Sequence, residues 1–262
     1  MFPLLPFPDI NAFALFALVL SRIAGLFTAI PAIGGSRAPA KVRVALIFSL
    51  SLVLFPVLKL KNVEVPLDTI SLAIVMLREV LIGLTLSILV QSVFAAVDLC
   101  GQIVGMQMGF TISMQFDPSM GMTSPISVVQ SLFATLLFLA LNGHHFFITA
   151  MVQSYEVLPV GHWSMSGNLI SFLVAAGSSV FLLAIKLAAP VMVALLTANV
   201  ALGIMARAFP QMNIFMLSLP VNIAVGFVIL GMSTLVFMHT LQNAFGAFPE
   251  QMQALFRLLA EG

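Results

Sequence analysis

Catalysis and metal binding need polar side chains gathered in one place, and this chain offers few. His144 and His145 are adjacent after Asn142-Gly143, and neighbours in sequence do not share a helix face. His162 and His239 are remote, and no Asp or Glu stands at helical spacing from the pair. A polar turn at a helix end is a better reading than a metal site. Cys100 is the single cysteine, which excludes an internal disulfide and a multi-cysteine metal centre. It has Asp98 two residues away and no histidine nearby, a poor setting for a reactive thiolate. No G-x-x-x-x-G-K-[ST] phosphate loop occurs, and no nucleophile, base and acid fall into a set. No enzyme activity, cofactor or metal is expected.

Six charged residues lie within or beside apolar runs: Arg22, Arg78, Glu79, Asp98, Lys186 and Arg207. Each is costly to leave unpaired where the dielectric is low. Arg78 and Glu79 are consecutive and point in different directions, so they cannot simply satisfy each other. These charges pair either with distant charges of this chain or with charges on partner subunits. Arg22, Arg78, Lys186 and Arg207 are too scattered for one small bundle to satisfy, which predicts a chain that is unstable without partners. A proton relay would gather several acids, and only Glu79 and Asp98 qualify.

The stretch GQIVGMQMGFTISMQFDPSMGM, residues 101–122, is of another kind. Gly101, Gly105 and Gly109 recur every four residues, which predicts a shared helical face open to close approach by another backbone. Ordinary membrane-helix packing explains that spacing as well. Met106, Met108, Met114, Met120 and Met122 follow, interleaved with Phe110 and Phe116, and Asp117-Pro118 with Gly121 reads as a turn. Methionine is flexible and polarisable and packs against changing shapes. A deformable seal would need such a soft, uncharged loop; a loose core loop is the plainer alternative.

The elements that must hold these residues are apolar helices. Of 262 residues, 7% are charged and 61% hydrophobic, whereas a soluble domain carries roughly 25% charged residues. A soluble enzyme, a disordered chain and a disulfide scaffold are therefore excluded, and a net charge of +1 gives no general pull toward nucleic acid. Apolar segments run over 10–33, 42–58, 69–97, 126–155, 169–206 and 211–247. A membrane span needs about 20 apolar residues. Segment 169–206, as one helix, would be about 57 Å long, so it must break, turn back or reach beyond a bilayer. Gly177, Pro190 and Pro220 are the candidate break points. The start has no basic flank and Arg22 interrupts the first run, so no cleaved secretory signal is expected. The Arg37, Lys41, Arg43 cluster slightly favours a cytoplasmic loop after the first segment. No linker splits the chain, which reads as one domain, 1–262, with an amphipathic tail, 249–262. Met252, Leu255, Phe256 and Leu259 line one face of that tail; it would lie on a membrane surface or dock on a partner.

With these motifs in order, the chain resembles the FliR family of flagellar biosynthesis proteins of the type III export gate. The likeness runs from Leu18 to Phe245. It is carried by SRIAGLFTAIPAIGG at 21–35, KVRVAL at 41–46, REVLIGL at 78–84 and GQIVGMQMGF at 101–110 with Asp117-Pro118. LNGHHFF at 141–147 and ARAFPQMNIF at 206–215, followed by Pro220, complete it. The first eight residues match no part of the pattern. The injectisome counterpart is the nearest alternative, and PQMNIF favours the flagellar branch. The resemblance implies an all-α fold of membrane-associated helical hairpins with broken helices. It implies assembly with FliP and FliQ into a gate, beside FlhB and FlhA, in the bacterial inner membrane at the flagellar basal body. Unfolded flagellar subunits would pass through that gate. The family's pore-plugging loop matches Met106–Met122. A solute transporter is the other class, and it should show repeated halves with matched broken helices, which are not visible here.

Overall fold

The structure, a computed structural model, describes residues 10–28, 39–58, 68–110, 124–161, 167–209, 211 and 213–260. Its regular elements over these residues are all helices: α1 (Ile10–Thr28), α2 (Ala40–Val57), α3 (Thr69–Gln107), α4 (Pro125–Ala140), α5 (Gly143–Val157), α6 (Gly167–Ala208), α7 (Ile214–Gly246) and α8 (Phe248–Ala260). The fold is all-α, as expected. The reason is partly solvation. In apolar surroundings a backbone must satisfy its own N–H and C=O groups, and a helix does so within one segment. By length and composition, α1, α2, α3, α6 and α7 can each cross a membrane, and the bent pair α4–α5 is a sixth candidate.

Local chemistry sets the joints. Ser124 Oγ accepts from the Ile126 N–H at 3.3 Å and Pro125 fills the first turn, so α4 has a defined start. The apolar run 126–155 is two helices, because Asn142 takes the left-handed conformation, φ 56°, which Asn tolerates better than most residues. The Asn142 carbonyl then accepts from the N–H groups of His145 and Phe146 at 2.9 and 3.3 Å, opening α5. His144 and His145 thus sit in the first turn of a helix.

The expected break points are corrected. Helix α6 is continuous through Gly177 and Pro190, and α7 through Pro220; α2 likewise contains Pro56. A proline withdraws one donor from a helix, whereas a full break frees several polar groups at each new end with no water to take them. The broken pair is α4–α5 instead. Helix α3 runs ten residues past its apolar segment, to Gln107.

The chain falls into two compact units: Met1–Gln91 with Asn142–Ala176 and Ala247–Gly262, and Ser92–Leu141 with Gly177–Gly246. Helices α3 and α6 contribute to both. In the first unit, Phe16 meets Phe48 and Phe55 edge-on at 5.7 Å, joining α1 to α2. Helices α1 and α3 cross at Gly25, where a Cβ would lie 2.5 Å from the Val80 carbonyl oxygen. The tail helix α8 packs against α5 and buries Phe248, Met252, Leu255, Phe256 and Leu259, with Phe248 stacked on Phe146. Its apolar face is covered by its own chain, not by a membrane surface or a partner. In the second unit, Phe94, Phe138 and Phe245 form a cluster with ring centroids 5.6 to 5.8 Å apart.

Candidate functional site

The end of α3 brings the glycine face and the first of the methionines together. A side chain at Gly101 would overlap the Ser127 backbone, and one at Gly105 would overlap Ser124 Oγ. The close approach is therefore between α3 and the start of α4 of the same chain. Gly109 departs from the expected face. It lies beyond the helix with φ +90° and turns the chain, with its open side toward Leu219 of α7. A positive φ is what glycine supplies at little steric cost.

Met108 is fully buried and lies on Gly226 of α7, where a Cβ would come within 2.6 Å of it. Phe110 meets Phe227 edge-on at 6.3 Å. Met106 is 58% exposed. Met108 and Phe110 are thus anchored on α7, while Met106 belongs to the last turn of α3 and not to a loop. Met114, Phe116, Asp117, Pro118, Met120 and Met122 lie outside the described residues.

The sparse charges separate into two groups. Arg22 and Glu79 are both fully buried and paired, Arg22 Nε to Glu79 Oε2 at 2.5 Å. Arg22 Nη1 donates to the carbonyls of Ser154 and Leu158, both at 3.1 Å, and Nη2 to Leu158 at 3.2 Å. The guanidinium lies over the Tyr155 ring, 4.0 Å from its centre. Glu79 Oε1 accepts from the Gly161 N–H at 3.0 Å, and the Tyr155 hydroxyl donates to the Val19 carbonyl at 3.3 Å. A buried charge is tolerable when paired and hydrogen-bonded all round. The expectation that Arg22 exceeds what one small bundle can satisfy is therefore corrected. Asp98 Oδ1 accepts from Ser127 Oγ at 3.2 Å.

Arg78, Lys186 and Arg207 are exposed and form no ion pair among the described residues. Sequence reasoning missed Ser154, Tyr155, Leu158 and Gly161 as the seat of the charge pair. The partners lie 82 to 136 residues from the groups they satisfy, and no spacing rule reaches that far.

Among the described residues no three His, Cys, Asp or Glu side chains gather as metal ligands. A mainly apolar groove of about 280 Å³ lies in the second unit between α4, α6 and α7, lined by Gln130, Phe133, Leu187, Phe227, Leu230 and Phe237. It contains no acid–base pair. What the described arrangement can do is mechanical. It anchors one end of a methionine-rich loop, locks α1, α3 and α5 through a buried ion pair, and leaves long apolar faces uncovered.

The sequence model of the bacterial export proteins, family 1, matches residues 13–248. The protein named flagellar biosynthetic protein FliR in Bacillus subtilis (strain 168) is 31% identical over 256 residues, covering 95% of this chain and 97% of its own. The protein of that name in Escherichia coli (strain K12) is 32% identical over 208 residues, 79% of each chain. In Aquifex aeolicus (strain VF5) the figures are 30% over 238 residues, 89% of this chain and 91% of the other.

Proposed function

This chain belongs to the bacterial export proteins, family 1, as a FliR-type flagellar biosynthesis protein, and from that membership we propose that it is a structural, non-enzymatic subunit of the flagellar protein export gate. It assembles with FliP and FliQ, next to FlhB and FlhA, in the bacterial inner membrane at the basal body. Unfolded flagellar subunits pass through the assembly. The loop from Met106 to Met122 is its seal.

One observation carries the reading. Helix α6 has 42 residues, about 63 Å at 1.5 Å per residue, and large apolar side chains stand exposed along it from Ile170 to Met205. A bilayer core covers about 30 Å. Lipid alone cannot cover such a helix, so protein must cover the rest. A solute transporter lacks that requirement, and no polar binding centre among the described residues supports one.

The test is co-expression. The tagged chain should draw FliP and FliQ into one stable complex in detergent, and should restore hook-protein secretion to a flagellated host lacking its own FliR. A monodisperse, folded monomer that ignores both partners would overturn the reading.

A further inference from the structure

Lys186 is exposed near the middle of α6, and the flanking stretches 157–185 and 187–206 contain no Asp, Glu, Lys or Arg. On its face, one turn back and two turns on, Leu182 is 58% exposed and Val193 63%. The helix runs about 28 Å before Lys186 and about 33 Å after it. Among the described residues of its unit the one carboxylate is Asp98, which is engaged with Ser127. We propose that the Lys186 face of α6 docks an apolar helix of another chain that carries a single Asp or Glu, and that Lys186 pairs with that carboxylate. The inference rests on the export-gate reading and deepens it by giving the chemistry of one partner surface.

Two membrane placements are open to this helix. With Lys186 deep in the bilayer, its charge is far from either headgroup layer and needs a counter-charge at its own depth. With Lys186 near a headgroup layer, one flank lies outside the hydrocarbon, and its exposed apolar side chains need protein cover. A helix laid along the face of Leu182, Lys186 and Val193 takes water from Lys186. A buried ammonium left without a partner is strongly unfavourable, so the cover must bring an acceptor of opposite sign. An acyl chain brings none.

The experiment uses the full chain co-expressed with its gate partners. A photo-reactive side chain at Leu182, and separately at Val193, should give a protein adduct. The crosslinked peptide should hold an Asp or Glu within one helical turn of the attachment point. Lys186→Glu should lower the yield of purified complex at least tenfold, and reversing the mapped carboxylate to Lys should restore most of it. Lys186→Arg should assemble as the parent does. Lys186→Met at full yield, adducts to lipid alone, or an Asp117→Asn chain that alone reproduces the loss would each overturn the pairing. A parent chain that recruits no partner at all would instead count against the export-gate reading, so the two failures are distinguishable.

Discussion

Removing one half of the Arg22–Glu79 pair differs from removing both. Glu79→Gln leaves a fully buried guanidinium with uncharged acceptors alone, the Ser154 and Leu158 carbonyls and the Ser154 hydroxyl, and the face of Tyr155. Stripping a buried pair of one partner costs about 3–5 kcal/mol. Arg22→Met with Glu79→Leu removes both charges and should cost less than either single change. It should not be neutral, because the Leu158 carbonyl and the Gly161 N–H lose their partners. Denaturant midpoints of the parent, Arg22→Met, Glu79→Leu and the double variant, measured in detergent, give the coupling directly. Equal midpoints for Glu79→Gln and the parent would show the pair to be idle. The sequence marks these two residues as costly charges in apolar runs and says nothing of their pairing. They are 57 residues apart, and only a helix crossing at Gly25 brings them together.

Helix α3 depends on α4 at two glycines that differ in what they meet. At Gly105 a methyl group would strike Ser124 Oγ, the end of a side chain; at Gly101 it would strike Ser127 backbone. Gly105→Ala should destabilise by about 1–3 kcal/mol, as overpacking does. Adding Ser124→Gly should recover most of that loss, since glycine at an N-cap costs only a few tenths of a kcal/mol. Gly101→Ala should find no such rescue in Ser127→Gly. Thermal melts of the two pairs of variants decide the matter, and equal rescue at both sites would mean the overlaps relax another way. The periodicity predicts the Gly101 and Gly105 contact face. It misplaces Gly109, because four-residue spacing cannot reveal where a helix stops. The prolines mislead in the opposite sense. Their cost in water suggests breaks at Pro190 and Pro220, yet apolar surroundings make an intact helix the better solution.

For the whole molecule, the proposed gate role demands closure without chemistry. A protein-conducting pore must stop ions and still yield to many unfolded chains. Fixed hydrogen bonds would hold some substrates, and charges would hydrate the lumen. Methionine and phenylalanine contacts do neither. Shortening the loop within 110–120 should leave the complex assembled, because Met108 and the Gly101–Ser127 contact remain. It should also raise small-ion conductance of vesicles carrying the complex, with secretion continuing. An assembled complex as tight as the parent would place the seal in another subunit. Sequence reading reaches the class of fold and the composition of this loop from local pattern alone. It cannot reach the division into two units, which depends on contacts between stretches far apart in the chain.

That division has a consequence for synthesis. The unit that contains α1 also needs Asn142–Ala176 and the tail from Ala247, so it is completed only after the other unit's segments have been made. Glu79 waits 82 residues for the Gly161 N–H, roughly 4–16 s at common elongation rates of about 5–20 residues per second. For most of that interval Arg22 lacks the Ser154 and Leu158 carbonyls that hold it in the finished fold. The face of α5 that α8 covers then stays bare until α8 has been made. A premature stop within α8 would therefore leave its defect on α5, a helix made long before it.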